Sequence, residues 1–305
     1  MKKVTLLAGL AAVMLASCNN EEMDVTNVPI DLHFGVATTA GRASITEDKF
    51  EDGNQVGVYM GALTTDEKTP GELGTGQFNN VPYQFNGTSW SGAPIYWQNT
   101  ANYHTLYAYA PYSQSATTEI AITVPADQSD AEQYKAVDFL WGQLGPMLAT
   151  TAQQTFNLSH KMSQLVITIE KGDGMEESEL TDMTLAVNGV QFASDGTFNL
   201  KDGTCAATGT PASTTLTPYR NNNAFYAIVL PGTALKDAKI VLTAQDNTTY
   251  SYTLGDVTTK GSNKYTFNLS VTKASLELTE DGFTIKPWGK GNEVNGDASM
   301  DTTTP

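Results

Sequence analysis

The sequence predicts an all-β fold, on three observations. Apolar and polar residues alternate over short segments, beginning with 28–36, and this period of two is typical of half-buried strands. Turn-forming pairs such as Asn86-Gly87 and Pro231-Gly232 separate these segments. No segment sustains a helical period for long, and many short strands without alternating helices favour sandwiches or barrels over a parallel sheet.

Length and composition predict two domains. The chain has 305 residues, whereas one domain usually takes roughly 100 to 200 residues. Between Gly145 and Gln154 the alternating pattern gives way to Gly, Pro, Ala, Thr and Gln, which indicates a boundary. We therefore expect a first domain over 43–150 and a second domain over 151–288. The final segment, 289–305, is polar without alternation and is predicted to be a flexible tail.

The first residues predict export and a lipid anchor. Lys2 and Lys3 precede an apolar stretch that is too short to span a membrane, so residues 1–17 are predicted to be a signal peptide. The end of this stretch, Leu15-Ala16-Ser17-Cys18, looks like the lipobox of bacterial lipoproteins, which implies cleavage before Cys18 and lipidation of its thiol with acyl chains such as palmitate. Two or more such chains suffice to hold a protein on a membrane. The alternative is an ordinary signal peptide followed by a chance cysteine.

Charge and cysteine usage exclude several classes of function. The formal net charge of −16 disfavours nucleic acid as a partner, because sequence-independent binding needs Lys and Arg against phosphates. Beyond the leader, the sequence lacks an apolar run of about 20 residues, so no spanning helix is predicted. The second cysteine, Cys205, would have no disulfide partner once Cys18 is acylated, and no His or basic residue accompanies it in the stretch 203–208. We interpret Cys205 as an ordinary structural residue of a loop or strand.

The sequence predicts no catalytic residue, metal site or cofactor. The three histidines, His33, His104 and His160, are scattered through strand-like segments and are interpreted as structural. An acidic segment over 173–179 lacks the spacing of an EF-hand loop, so solvated charge is favoured over weak calcium binding. The aromatic residues of 90–112 could stack on sugars, but aromatic residues at strand spacing more often form a core.

The order of apolar and aromatic segments resembles the fimbrillins, the type V pilins of Bacteroidales. The segments that carry this resemblance cover most of the chain after the leader: Phe85, Trp90, Tyr96-Trp97, 107–112, 138–141, 156–163, 164–169, 225–231, 265–269 and 285–288. The resemblance implies that both domains are transthyretin-like Greek-key β-sandwiches. It also implies that the chain is a structural or adhesive subunit of a cell-surface pilus and has no enzymatic activity.

The resemblance further implies activation by proteolysis. In that family an arginine-specific or trypsin-like protease removes the first strand, and a strand of another subunit fills the vacated groove. Carried over to this chain, cleavage falls between Arg42 and Ala43, at the only basic residue between Cys18 and Lys49. The propeptide is then 18–42, and the released strand carries four alternating side chains, Ile30, Leu32, Phe34 and Val36. The alternative is that Arg42 is an ordinary surface residue after an edge strand.

The expected partners follow from the same resemblance. They are other pilus subunits, in a homopolymer or heteropolymer, the outer membrane through the lipid anchor before processing, and a receptor on a host or bacterial surface. Donor-strand candidates are 276–278 and 283–288, which leaves stalk, anchor and tip roles open. Two alternatives stay open: a monomeric surface lipoprotein that binds glycans, and a hydrolase with an unrecognised site.

Overall fold

A computed structural model describes residues 24–37 and 49–288 and confirms the predicted all-β fold. The first eight strands are β1 Leu32–Val36, β2 Gln55–Met60, β3 Val81–Phe85, β4 Trp90–Gly92, β5 His104–Ala110, β6 Glu119–Thr123, β7 Leu140–Met147 and β8 Gln154–His160. The lipidation site Cys18, the cleavage site Arg42-Ala43 and the tail 289–305 lie outside the described residues and stay predictions.

Eleven further strands follow in the second half of the chain. They are β9 Ser163–Lys171, β10 Thr184–Phe192, β11 Asp195–Asn199, β12 Thr204–Ala207, β13 Ala212–Leu216, β14 Tyr219–Asn221, β15 Ala224–Val229, β16 Lys239–Thr243, β17 Thr249–Thr253, β18 Asn263–Val271 and β19 Leu276–Pro287. The helical elements are short: a 3-10 turn at Val25–Asn27, α1 at Ala131–Ala136 and α2 at Glu177–Leu180. Within 24–37 and 49–288, no helix is long and apolar enough to cross a membrane.

One seven-stranded sheet forms most of the first half, in the order β1-β8-β7-β5-β2-β3-β4. The predicted hairpin joins β3 to β4, and Gly87 adopts the positive φ of 83° that its turn requires. One face of this sheet encloses a core of sixteen buried residues, all between Ile30 and Leu158. The curled sheet therefore has an interior of its own.

The second half is built from three sheets. A five-stranded sheet has the order β14-β15-β9-β18-β19, a four-stranded sheet has the order β13-β10-β16-β17, and a three-stranded sheet has the order β12-β11-β6. Alternating side chains of these sheets form a second and larger core. On β18, for example, every second residue from Tyr265 to Val271 is buried.

The two halves of the chain are interleaved. Strand β6, from the first half, pairs antiparallel with β11 of the second half, from Glu119↔Asn199 to Thr123↔Asp195. Tyr107 and Tyr109 lie on the seven-stranded sheet, yet they pack into the second core. The predicted bounds 43–150 and 151–288 stay a prediction, and this strand pairing crosses them.

Candidate functional site

Strand β1 lies at one edge of the seven-stranded sheet, parallel to β8. The register runs from Leu32↔Gln154 to Val36↔Leu158. Two main-chain hydrogen bonds extend the pairing beyond the strand, from the Gln154 N–H to the Asp31 carbonyl and from the Ala37 N–H to the Leu158 carbonyl, both at 2.8 Å. The N-terminal strand is therefore held by backbone pairing to a segment more than a hundred residues further along the chain.

The other flank of β1 faces the opposite end of the same sheet. The Trp90 Nε1–H on β4 donates a hydrogen bond to the Phe34 carbonyl at 3.1 Å, and the Ile30 N–H donates to the Ile95 carbonyl at 2.8 Å. Strand β1 thus fills the space between β8 and the β4 side of the curled sheet. We call this space, bounded by β8, Trp90 and Ile95, the β1 groove.

The four side chains that the sequence predicted to be released together all point into the β1 groove. Ile30, Leu32, Phe34 and Val36 are each less than a tenth exposed. The residues between them alternate outward, with Asp31 and His33 exposed and Gly35 half-buried. The predicted alternation is confirmed from Ile30 to Val36, although β1 itself begins at Leu32, and its inner face belongs to the core of the first half.

Phe34 occupies the most aromatic part of the groove. Its ring stacks on Phe156 with centroids 5.4 Å apart and meets the edge of Trp90 at 4.9 Å, while Tyr83 lies at 5.6 Å. Sequence analysis did not assign these three residues to the groove. Only the pairing of β8 and the folding back of β4 bring them around one residue of β1.

The aromatic segment 90–112 is core in part, as the sequence favoured, whereas four of its seven large aromatic residues are half-buried. Trp97, Tyr107 and Tyr109 are almost fully buried. Burial raises the pKa of Tyr107 and of Tyr109 to about 12, and the Tyr107 hydroxyl donates to the Gly71 carbonyl at 2.8 Å. Three of the segment's large rings therefore give no exposed platform for sugars.

The three histidines lie apart. His33 is exposed near Asp31, whereas buried His104 accepts a hydrogen bond from the Gln98 N–H at Nε2, and desolvation lowers its pKa. His160 is fully buried, and its Nδ1 lies 2.8 Å from an Asp138 carboxylate oxygen. Among residues 24–37 and 49–288, no group of His, Cys, Asp and Glu side chains could hold a metal ion.

Cys205 lies on β12 and is half-buried. Desolvation by burial raises the pKa of its thiol to about 12, although Lys161 partly opposes that shift. A thiol that is neutral at physiological pH is a poor nucleophile. The interpretation of Cys205 as a structural residue of a strand agrees with its position on β12 and with its raised pKa.

The second arginine of the chain, Arg220, is held by three carbonyl groups. Its guanidinium donates to the carbonyls of Leu180, Met183 and Asn222 and lies over the Phe225 ring. A protease needs several residues of unfolded chain around the bond that it cuts. Arg220 is therefore protected in the folded protein, which the sequence, showing only a polar loop, did not reveal.

The two donor-strand candidates lie at the C-terminal strand: 276–278 is within β19, and 283–288 extends one residue beyond it. Strand β19 pairs antiparallel with β18 from Leu276↔Val271 to Pro287↔Asn263. The next residue, Trp288, donates its N–H to the Ser262 carbonyl at 2.6 Å, and its ring stacks on His160 at 3.9 Å. The C-terminal strand is thus already paired within the five-stranded sheet of its own chain.

A cavity of about 380 Å³ lies beside the end of β1, and the sequence did not predict it. Val36 and Phe50 line one side, and Tyr219 lines the side that belongs to the second half of the chain. The Lys135 ammonium lies 2.8 Å from the Glu51 carboxylate among the lining residues. The cavity therefore combines aromatic, cationic and anionic groups.

Comparison with known proteins decides the family. A family model described as fimbrillin-like matches residues 41–288 of the chain. The chain belongs to the fimbrillin-like family. The predicted resemblance is confirmed.

Individual relatives of this fimbrillin-like chain agree. It is 26% identical over 199 residues to a Bacteroides ovatus protein named as a fimbrium tip subunit, Fim1C, and the match covers 55% of this chain and 35% of that relative. The chain thus spans about a third of that relative's length. Two solved structures, described as cell adhesion proteins, share the fold of the fimbrillin-like chain.

The first of these solved structures is from Bacteroides uniformis and has a TM-score of 0.64 at 20% identity. The aligned region covers 85% of this chain and 99% of the Bacteroides uniformis chain. The second solved structure is from Bacteroides ovatus and has a TM-score of 0.66 at 19% identity. The aligned region covers 86% of this chain and 98% of the Bacteroides ovatus chain.

Proposed function

We propose that this chain is an adhesive subunit of a cell-surface fimbrium that joins its neighbour by strand exchange. The observation that supports this function best is β1 itself. It is an N-terminal strand whose four apolar side chains fill the β1 groove, and it pairs in register with a single strand, β8.

Removal of β1 would create a strong binding site for another strand. The β8 edge would present unpaired N–H and C=O groups, and such an edge templates a new strand. Filling the groove again would be favourable, since each large apolar side chain contributes about 1.5 to 3 kcal/mol when fully buried. While β1 is in place, the same contacts block assembly.

The proposed switch is cleavage between Arg42 and Ala43. Arg42 follows β1 by six residues, and Arg220, the other arginine of the sequence, is engaged by three carbonyl groups. An arginine-specific protease would therefore act at one place in the folded chain. Before cleavage, the acylated thiol of Cys18 would anchor the precursor to the outer membrane.

We place the subunit at the end of the fimbrium. A subunit within a stalk must both accept and donate a strand, whereas β19 is paired with β18 and followed by anchored Trp288. The relative named as a tip subunit favours the same position. The chain would then accept a strand, donate none and present its surface to a receptor. No catalytic step belongs to this role.

A second candidate function, glycan binding, is favoured by the cavity beside Val36. Its volume of about 380 Å³ falls within the range of small-ligand sites. Tyr219 and the paired Lys135 and Glu51 offer an aromatic surface and polar groups. A glycan array with the uncut chain tests this candidate, and a Tyr219→Ala variant should lose any signal that arises there.

Peptide binding tests the leading proposal. We expect a labelled peptide with the sequence of residues 28–37 to bind the chain after arginine-specific proteolysis and not before. Arg42→Ala, treated identically, should not bind it, whereas the control Lys49→Ala should behave as the parent. Peptide capture by treated Arg42→Ala would refute the switch. Filaments formed by the cut chain alone, seen by electron microscopy, would contradict the end position.

A further inference from the structure

Gly35 is an unusual residue for the interior of a strand. It lies between Phe34 and Val36 and faces away from the core, half-buried. Glycine weakens a strand, because it loses more conformational freedom on folding and has no side chain to pack. A strand that must stay in place would gain from almost any other residue here.

The structure does not require glycine at this position. Among the described residues, a Cβ placed on Gly35 would come within 4 Å of two atoms, the Asn157 Oδ1 at 3.7 Å and the Phe156 carbonyl oxygen at 3.9 Å. Both distances are ordinary van der Waals contacts. The backbone is also permissive, since Gly35 is not among the glycines with positive φ. The structure therefore has room for a Cβ at position 35.

An open depression lies beside the missing side chain. Phe34, Gly35 and Val36 form one wall of it, and Phe50 and Phe85 belong to the other. Phe50 and Phe85 are only half-buried, although both rings pack against Trp90 at 4.9 and 5.1 Å. Among the described residues, resident β1 therefore leaves apolar surface uncovered next to the point where Trp90 binds its backbone.

We propose that Gly35 makes the resident strand a weak occupant, and that the β1 groove prefers a strand of another subunit with a β-branched or aromatic side chain at this position. The partner strand would keep an aromatic residue at the Phe34 position, where Phe156 and Trp90 contact it. Its larger neighbour would cover Phe50 and Phe85. This inference rests on the proposed strand exchange and names the sequence that the groove selects.

Competition between peptides tests the preference. The full chain is cut with an arginine-specific protease, and peptides of residues 28–37 compete for the β1 groove in a fluorescence anisotropy assay. Gly35→Val should bind about fivefold more tightly than the parent peptide, because its side chain covers apolar surface of the depression, and Gly35→Ala should fall between them. Phe34→Ala should bind at least about tenfold more weakly, because it leaves the aromatic contacts empty.

A matched control distinguishes two effects of Gly35→Val: the filling of the depression beside position 35, and the general preference of β-branched residues for strands. His33→Val also adds a β-branched residue to the outward face, but His33 does not line the depression. Its affinity should stay within about twofold of the parent peptide. Equal affinities of the Gly35→Val and His33→Val peptides would overturn the inference while leaving strand exchange intact. Failure of every peptide to bind the cut chain would overturn the proposed function as well.

The intact chain gives an independent measurement. Gly35→Val should raise the Tm of the uncut protein by about 2 to 4 °C and slow the loss of the cut segment about fivefold. A lowered Tm would show that the space beside Gly35 does not accept a side chain, and would overturn the inference without any binding assay.

Discussion

At the scale of single residues, Phe34 shows how one side chain ties a terminal strand to a core. Its ring contacts Phe156, Trp90 and Tyr83, and its carbonyl accepts the hydrogen bond from Trp90. The side chain and the backbone of the same residue are therefore recognised together. Any strand that replaces β1 meets the same two requirements.

Phe34→Ala should destabilise the uncut protein by about 3 to 5 kcal/mol, because a large aromatic side chain leaves a cavity that its neighbours fill only in part. Urea unfolding followed by tryptophan fluorescence measures the change. His33→Ala, exposed on the same strand, is the control and should change stability by less than about 0.5 kcal/mol. Similar losses for both variants would argue against the buried position of Phe34.

Cys205 should be unreactive in the native state. Burial raises the pKa of its thiol to about 12, so that the thiol is protonated at pH 8, whereas an unfolded cysteine titrates near 8.5. In a Cys18→Ala background, where Cys205 is the only thiol, a thiol reagent at pH 8 should label the native protein at least about tenfold more slowly than the urea-unfolded protein. Equal labelling rates would contradict the raised pKa of this half-buried thiol.

At the scale of elements, the two terminal strands occupy equivalent places in different sheets. Strand β1 is an edge of the seven-stranded sheet, and β19 is an edge of the five-stranded sheet. The two strands are anchored differently. The inner side chains of β1 are buried in the core, whereas β19 is anchored by Trp288, just past its end, which contacts His160 and Ser262. Three large side chains of β19, at Leu278, Phe283 and Ile285, are more than a third exposed.

Trp288→Ala should therefore loosen β19 before the rest of the domain. We expect a loss of about 3 kcal/mol in unfolding free energy and faster hydrogen exchange at the amides of 276–287, with smaller changes in β9 and β15. Lys286→Ala, exposed on the same strand, is the matched control. Uniform acceleration across the five-stranded sheet would show that Trp288 stabilises the whole domain.

At the scale of the whole molecule, the predicted lipid anchor and the predicted cleavage site lie on opposite sides of the same strand in the sequence. The predicted lipid lies at Cys18, before β1, and the predicted cleavage lies at Arg42, after it. One cut would therefore free the folded body from the membrane anchor once β1 leaves the groove. Membrane release and groove opening would occur together.

Cys18→Ala should move the protein out of the membrane fraction without changing its Tm, because Cys18 precedes all strands of the described structure. Detergent partitioning and sedimentation of cell membranes measure the distribution, and Cys205→Ala is the control that should stay in the membrane fraction. Persistence of Cys18→Ala in that fraction would count against lipidation.

The sequence by itself determined which residues face inward. Side chains alternate along a strand with a period of two, so local spacing was enough to predict the inner face of β1 and the aromatic core of 90–112. The turn at Asn86-Gly87 was equally local, since its positive φ favours glycine. The order of the apolar segments was sufficient to predict the family.

Only the tertiary structure decided which strands are neighbours. The pairing of β1 with β8, of β6 with β11 and of Arg220 with the carbonyls of Leu180 and Met183 joins residues far apart in sequence. Hydrogen bonds between strands use the same backbone groups at every residue, so alternation does not encode the partner. Packing of the whole core selects it, and that selection places β1 at an edge of its sheet.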